Sequence, residues 1–306
     1  MSLVSVRDIK NLLKRYKVHP LKRMGQNFLI DMEAIKKVIE SAQLSKNDIV
    51  LEIGPGIGNL TMELAKKAEK VIAIEKDSKM CEILKDLLEG RNVKNVEIVN
   101  EDILKLDTKY KIQNTRYKVV GNLPFYLAAP VIRQFLEVVD VKHRASACGG
   151  EGKDEDKVLI APKQMVLVVQ KEVAQRICAK PPEMSILAVS VQFYAKPEIE
   201  TFVPKKSFWP QPKVDGAIIK IIPKKLSTRP GSVDLFFKIV KAGFSQPRKQ
   251  LINNLSKEFL PAGRQGNLNR EKVKDWLSKN NVRPSQRAET LSVEDWINLL
   301  QSCRIN

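Results

Sequence analysis

The sequence predicts an α/β fold: a doubly wound parallel sheet followed by a small all-helical C-terminal domain. Three observations predict it. Apolar runs of four or five residues recur through the first two thirds of the chain, each short enough for a buried strand. Amphipathic helical segments separate them, the alternation expected of parallel strands covered on both faces. From residue 234 to residue 300 only helical patterns remain.

The elements follow in order. Residues 33–43 (EAIKKVIESAQ) put Ala34, Ile35, Val38 and Ile39 on one helical face. Ile49 to Ile53 reads as a first buried strand, broken by Gly54, Pro55, Gly56 and Gly58, and residues 59–68 as a helix. Val71 to Ile74 is a second strand, followed by a helix over 78–89; Val96 to Val99 is a third. Tyr117 to Val120 is a fourth, ending at Gly121, before a helix over 129–139. Met165 to Val169 is a fifth, running into the helical KEVAQRICA. The β-branched stretches 186–194 and 216–222 read as strands that end the first half. Helices over 234–242, 248–259, 270–279 and 292–301 carry Trp276 and Trp296 on apolar faces, as core. The Lys- and Pro-rich stretch from Pro223 to Pro230 divides domains over 1–225 and 226–306. Two Gly-rich polar segments, 142–163 and 261–267, read as inserted surface loops.

Composition narrows the function. The chain has 306 residues, 43% hydrophobic and 29% charged, which fits a soluble two-domain protein. No apolar run reaches the roughly 18 residues of a membrane span, and the N-terminus lacks a signal-peptide core, so a cytoplasmic protein is expected. The net charge is +18, and residues 201–306 hold 20 Lys and Arg against 8 Asp and Glu. Residues 1–23 add seven basic side chains against one acid. This distribution favours a polyanionic partner, nucleic acid first. The cysteines (Cys81, Cys148, Cys178, Cys303) are scattered and the only histidines are His19 and His143. A zinc site therefore has no ligands at useful spacing, and imidazole catalysis is disfavoured.

The chemistry lies at strand ends, where doubly wound sheets bind ligands. After the first strand comes Glu52-Ile53-Gly54-Pro55-Gly56-Ile57-Gly58. Its third glycine falls one residue too early for a dinucleotide fingerprint, with Asn59 in the place that pattern needs, and no P-loop lysine follows. The E-x-G-x-G-x-G spacing resembles motif I of the class I S-adenosylmethionine-dependent methyltransferases. At the tip of the second strand, Glu75 can accept both hydroxyls of a ribose. At the tip of the third, Asp102 matches the acid that, in the methyltransferase pattern, accepts from the cofactor's adenine. Each alone would pass as an ordinary exposed acid. At the tip of the fourth, Asn122-Leu123-Pro124-Phe125 resembles the [DNS]-[IL]-P-[YF] motif of amino-methyltransferases acting on adenine N6 or cytosine N4. An exocyclic amine is a poor nucleophile because its lone pair is delocalised into the ring. Acceptors aimed at its N–H groups, here Asn122 Oδ1 and the Leu123 carbonyl, favour a tetrahedral nitrogen and free that lone pair. Pro124 stiffens the turn and Phe125 offers a face for an unstacked base.

Residues 22–31 (KRMGQNFLID) resemble the G-Q-N-F-L segment of the ribosomal RNA adenine dimethyltransferase family. The resemblance continues through Met165 to Arg176, Val203 to Ala217 (VPKKSFWPQPKVDGA) and Phe244 to Leu255 (FSQPRKQLINNL), and covers all but the two insertions. It implies a Rossmann-like methyltransferase with S-adenosyl-L-methionine as cofactor and S-adenosyl-L-homocysteine as product. It also implies dimethylation of two adjacent adenines near the 3′ end of small-subunit (16S) ribosomal RNA, on a pre-30S particle, by a monomer needing no metal and no membrane. Carried over, the cofactor contacts fall on Asn27, Leu29, Gly54 with Gly56 and Gly58, Glu75, Asp102 and Asn122. Phe208 matches an aromatic near the target base, its plain alternative being core. Lys22 and Arg23, with Lys14 and Arg15, and the pair Arg248 and Lys249 are candidates for RNA phosphate contact. Departures are Phe125 where Tyr is usual, Gly216 for Ser, and Pro247 for the first Arg of an R-R-K run. The alternative is the related large-subunit adenine N6-methyltransferase of macrolide-resistance type; residues 203–217 and 244–255 favour the small-subunit enzyme. A third reading, a non-enzymatic assembly or transcription factor on this fold, is opposed by the intact glycines and Asn122.

Overall fold

The computed structural model describes residues 3–21, 25–106, 117–124, 126–147, 161–225, 232–258 and 266–303. Its elements run α1 (Val6–Arg15), β1 (Phe28–Leu29), α2 (Met32–Ala42), β2 (Ile49–Ile53), α3 (Asn59–Lys67), β3 (Lys70–Glu75), α4 (Ser78–Glu89), β4 (Val96–Asn100), β5 (Tyr117–Asn122) and α5 (Ala128–Ala147). They continue through β6 (Gln164–Gln170), α6 (Lys171–Ile177), α7 (Ile186–Tyr194), β7 (Ala195–Val203), β8 (Phe208–Trp209) and β9 (Gly216–Pro223). Four helices end the chain: α8 (Val233–Gly243), α9 (Leu251–Glu258), α10 (Gly266–Lys279) and α11 (Val293–Ser302).

Seven strands form one sheet in the order β4-β3-β2-β5-β6-β9-β7. β2 lies parallel to both β3 and β5, so the winding direction reverses between β2 and β5. The ligand crevice of a doubly wound sheet opens at this switch point. The central strands read as continuous apolar runs because both faces are covered: Val50, Leu51, Val71, Val119 and Val166 are all buried. The sheet is mixed rather than wholly parallel, since β9 runs antiparallel to β6.

Other expectations are corrected. Residues 186–194, read as a strand from their β-branched content, are helix α7. Ser185 caps it by accepting from the Ala188 amide at 3.2 Å, and Ala188, Val189, Val191, Phe193 and Tyr194 are buried. In that setting tertiary burial overrides β-propensity. The strand lies just beyond, in β7. The N-terminal segment, read only as a basic arm, contains α1. Ser5 accepts from the Asp8 amide at 3.3 Å, and Ile9, Leu12 and Leu13 are buried against Ile57, Met62, Met80, Ile83 and Leu84.

The chain divides into two compact units. The first holds the sheet; the second comprises Lys224–Asn306 with Arg176–Ala195 and Val139–Gly152. In the second unit α7 packs on α8 and α11, with Phe193 stacked on Phe236 at 4.0 Å between ring centroids. The fully buried Trp296 lies so close to Gly243 that a Cβ there would meet its ring at 2.4 Å.

Candidate active site

An open cleft of about 1020 Å³ lies over the carboxyl ends of β2, β3, β4 and β5 in the first unit. Its wall includes Asn27, Leu29, Gly54, Gly56, Glu75, Asp102, Asn122, Leu123, Pro124 and Phe208, so residues proposed from six separated stretches of sequence meet at one place. Gly58 is not on that wall; it caps α3 behind it. Phe125, Lys22 and Arg23 lie outside the described residues, as does most of the 142–163 segment. Arg248 and Lys249 occupy an exposed turn of the second unit between α8 and α9.

The glycines are there for backbone reasons. Gly54, Gly56 and Gly58 have φ of +69°, +55° and +87°, a region side chains rarely enter. At Gly56 and Gly58 space is short as well. A Cβ on Gly56 would stand 3.0 Å from the Phe28 ring, and one on Gly58 would stand 2.5 Å from Leu84 Cδ1. The Gly56 amide donates to Glu75 Oε2 at 3.1 Å, and the Asp77 amide donates to Glu75 Oε1 at 2.9 Å. Each Glu75 oxygen thus holds one donor and keeps a second lone pair for another, which suits a pair of ribose hydroxyls. Burial raises the Glu75 pKa.

Asp102 caps the turn that follows β4, accepting from the Leu104 amide at 3.1 Å. Its other oxygen takes Lys76 Nζ at 2.8 Å, and this bond holds the carboxyl below its ordinary range despite partial burial. Under the glycine loop, Glu52 is fully buried with no donor to Oε2. Burial first, and then the charge of Glu75, push its pKa up to about 8.

Asn122 ends β5. Its Nδ2 donates to the Asn27 carbonyl at 2.8 Å. A carbonyl can only accept, so this bond fixes which way the amide faces. Oδ1 is left without a donor among the described residues, as is the Leu123 carbonyl. Leu123 itself is anchored by its amide to the Val168 carbonyl at 3.1 Å. Gly25, with φ +64°, brings the N-terminal segment against Pro124; a Cβ there would lie 3.1 Å from Pro124 Cβ. Leu29 pairs with Phe208 across the β1–β8 ribbon. Phe208 is both buried core and cleft wall, and a Cβ at Gly216 would lie 3.1 Å from its ring, a close contact.

Two contributors escaped the sequence reading. Asn59 donates from one nitrogen to the Leu3 carbonyl at 2.8 Å and the Leu29 carbonyl at 2.6 Å, clamping two N-terminal segments beside the loop. Gln26 accepts from the Leu21 amide and donates to Asp77 at 2.8 Å. Its place in the G-Q-N-F-L segment was the available signal.

The ribosomal RNA adenine dimethylase family model matches residues 20–299, nearly the whole chain. The chain belongs to this family. Among curated relatives, the ribosomal RNA small subunit methyltransferase A of Clostridioides difficile is 38% identical over 294 residues, covering 94% of this chain and 92% of that one. A dimethyladenosine transferase from Plasmodium falciparum superposes with a TM-score of 0.69 at 26% identity, covering 89% of this chain and 95% of that one. A 23S rRNA methyltransferase shares the fold, with a TM-score of 0.67 at 24% identity over 90% of this chain and 99% of that one. The dimethylase fold is thus an α/β Rossmann-like methyltransferase, and the large-subunit alternative is not favoured. Among the described residues no helix is long and apolar enough to cross a membrane, and no cluster of three or more His, Cys, Asp or Glu could hold a metal ion.

Proposed function

We propose that this dimethylase uses S-adenosyl-L-methionine to dimethylate N6 of two adjacent adenines near the 3′ end of small-subunit ribosomal RNA, on a pre-30S particle. The observation that carries the reading is the Asn122 amide, whose nitrogen is engaged by the Asn27 carbonyl so that Oδ1 stays an open acceptor, with Asn122 and Leu123 both on the cleft wall.

The cleft fits the cofactor: a glycine cradle a Cβ would fill, a carboxylate with two lone pairs to spare, and an acid at the third strand tip. S-Adenosyl-L-methionine supplies a methyl group on a sulfonium sulfur, which keeps the carbon–sulfur electron pair when that bond breaks. Glu75 would hold the ribose hydroxyls and Asp102 the adenine amine, while Asn27 and Leu29 cover the pocket from the N-terminal side. Asn122 Oδ1 and the Leu123 carbonyl would accept the two N6 hydrogens of an extruded adenine and turn its lone pair toward the methyl carbon. As the nitrogen–carbon bond forms, the nitrogen becomes acidic and its proton passes to solvent, so no histidine is required; none lines the cleft among the described residues. Catalysis then rests on proximity and oriented dipoles.

The test is mass spectrometry of small-subunit RNA after incubation with the protein, S-adenosyl-L-methionine and particles lacking the modification. Two adjacent dimethyladenines near the 3′ end are expected. Methylation of large-subunit RNA alone would overturn the substrate assignment.

A further inference from the structure

We infer that the outer face of α1 is a docking strip for an RNA phosphate backbone, holding a strand beside the cleft. This rests on the functional reading above and names the surface that serves it.

The argument begins with a contrast in charge pairing. On α2, Lys36 and Lys37 meet Glu33 and Glu40 at 2.7 and 3.3 Å, and on α4, Lys79 and Lys85 meet Glu82 and Glu89 at 2.7 and 4.0 Å. Those helices neutralise their own lysines within a turn. On α1, Arg7, Lys10, Lys14 and Arg15 are exposed, and none forms an ion pair among the described residues. The helix's single acid, Asp8, lies in its first turn. Arg7, Lys10 and Lys14 recur at i, i+3 and i+7, so they share one stripe about 10 Å long. That is about one charge every 5 Å, or roughly two for every three phosphates of a duplex strand at one every 3.4 Å.

The stripe is also anchored next to the site. The opposite face of α1 buries Ile9, Leu12 and Leu13, and Tyr16 OH donates to Asp86 on α4. Lys10 Nζ lies 6.0 Å from the centre of the Trp209 ring, Trp209 stacks on Phe28 at 6.4 Å, and Phe28 touches the space above Gly56. Two rings therefore separate an unpaired cation from the glycine loop. A rigid row of cations beside a cleft for an extruded base has a direct use. It fixes the register of the backbone while the cleft reads the base.

The experiment compares two triple variants with equal charge loss: Arg7→Gln, Lys10→Gln, Lys14→Gln on α1, and Lys36→Gln, Lys37→Gln, Lys85→Gln on α2 and α4. Filter retention of the 3′ domain of small-subunit RNA is measured across a salt series, with S-adenosyl-L-methionine affinity as the check that the cleft is intact. The α1 triple should weaken RNA binding about ten-fold or more near 0.15 M salt. It should also flatten the slope of log affinity against log salt by roughly two to three, with cofactor affinity within two-fold. The acid-paired triple should stay within about two-fold. Lys14→Gln alone should flatten the slope by about one. Equal losses in both triples, or an unchanged slope in the α1 variants, would overturn the proposal. Wild-type protein that binds RNA in this way but transfers no methyl group would sink the enzymatic reading and leave the strip standing.

Discussion

Asp48 and Glu52 lie at opposite ends of the same strand, both buried, and their surroundings could hardly differ more. Asp48, at the amino end of β2, accepts from the Ser45 amide and hydroxyl, each at 2.8 Å, from Lys118 Nζ at 3.1 Å and from Lys163 Nζ at 3.3 Å. Burial alone would raise its pKa; the Ser45 and Lys118 bonds outweigh burial and bring it down to about 2. Lys118 also donates to the Ala42 and Gln43 carbonyls at 3.0 and 2.6 Å, and Gln164 donates to Ala42 at 2.5 Å, so the end of α2 is tied to β5 and β6. Glu52, at the carboxyl end, has an oxygen with no donor and a pKa of about 8. One end of the sheet is completed by the protein itself. The other keeps open acceptors around a cleft, at a cost in stability that a ligand can offset.

Lys118→Met should break this contrast most strongly. It leaves a buried carboxylate without its buried counter-charge, and unfolding in urea should show a loss of about 3 kcal/mol. S-Adenosyl-L-methionine affinity should stay within two-fold, because the change lies at the far end of the strands. The Asp48 contribution also has a sign. A depressed pKa stabilises the fold above pH 3.8, and that contribution disappears as pH falls through about 2. Glu52→Gln sharpens the opposite end. A raised pKa means that the Glu52 contribution is complete below pH 4.5 and is lost as pH rises through about 8. Cofactor-free wild-type protein should therefore lose about 5 °C of melting temperature between pH 6 and pH 8.5, and Glu52→Gln less than half as much. A wild-type melting temperature that rises over this window would contradict an open, buried acid beneath the glycine loop.

The same contrast explains what could be read from the sequence. The carboxyl end announces itself locally: three glycines in five residues, an acid at each of two strand tips, and Asn-Leu-Pro at a third. Each follows an apolar run that was recognisable as a strand. The amino end does not. Asp48 and Lys118 are 70 residues apart and Lys163 is 115 from Asp48, and nothing near any of them marks a partner. Asn59 was visible only as a residue standing where a glycine was missing; its clamp on Leu3 and Leu29 depends on contacts across 56 and 30 residues. Helix α1 had its signal in Ser5 and the spacing of Ile9, Leu12 and Leu13, but its basic side chains drew the reading toward a basic arm. Helix α7 misled for the opposite reason. Its Ile, Val and Tyr favour strands, and only packing against α8 and α11 makes them helical.

Single-turnover methyl transfer by Asn122→Ala, on small-subunit particles lacking the modification, tests the central claim most directly. The rate should fall by about a thousand-fold while particle binding stays within three-fold, because an acceptor aimed at the reacting amine is lost and the docking surface is not. A rate within a few-fold of wild type would show that Oδ1 does not hold the amine.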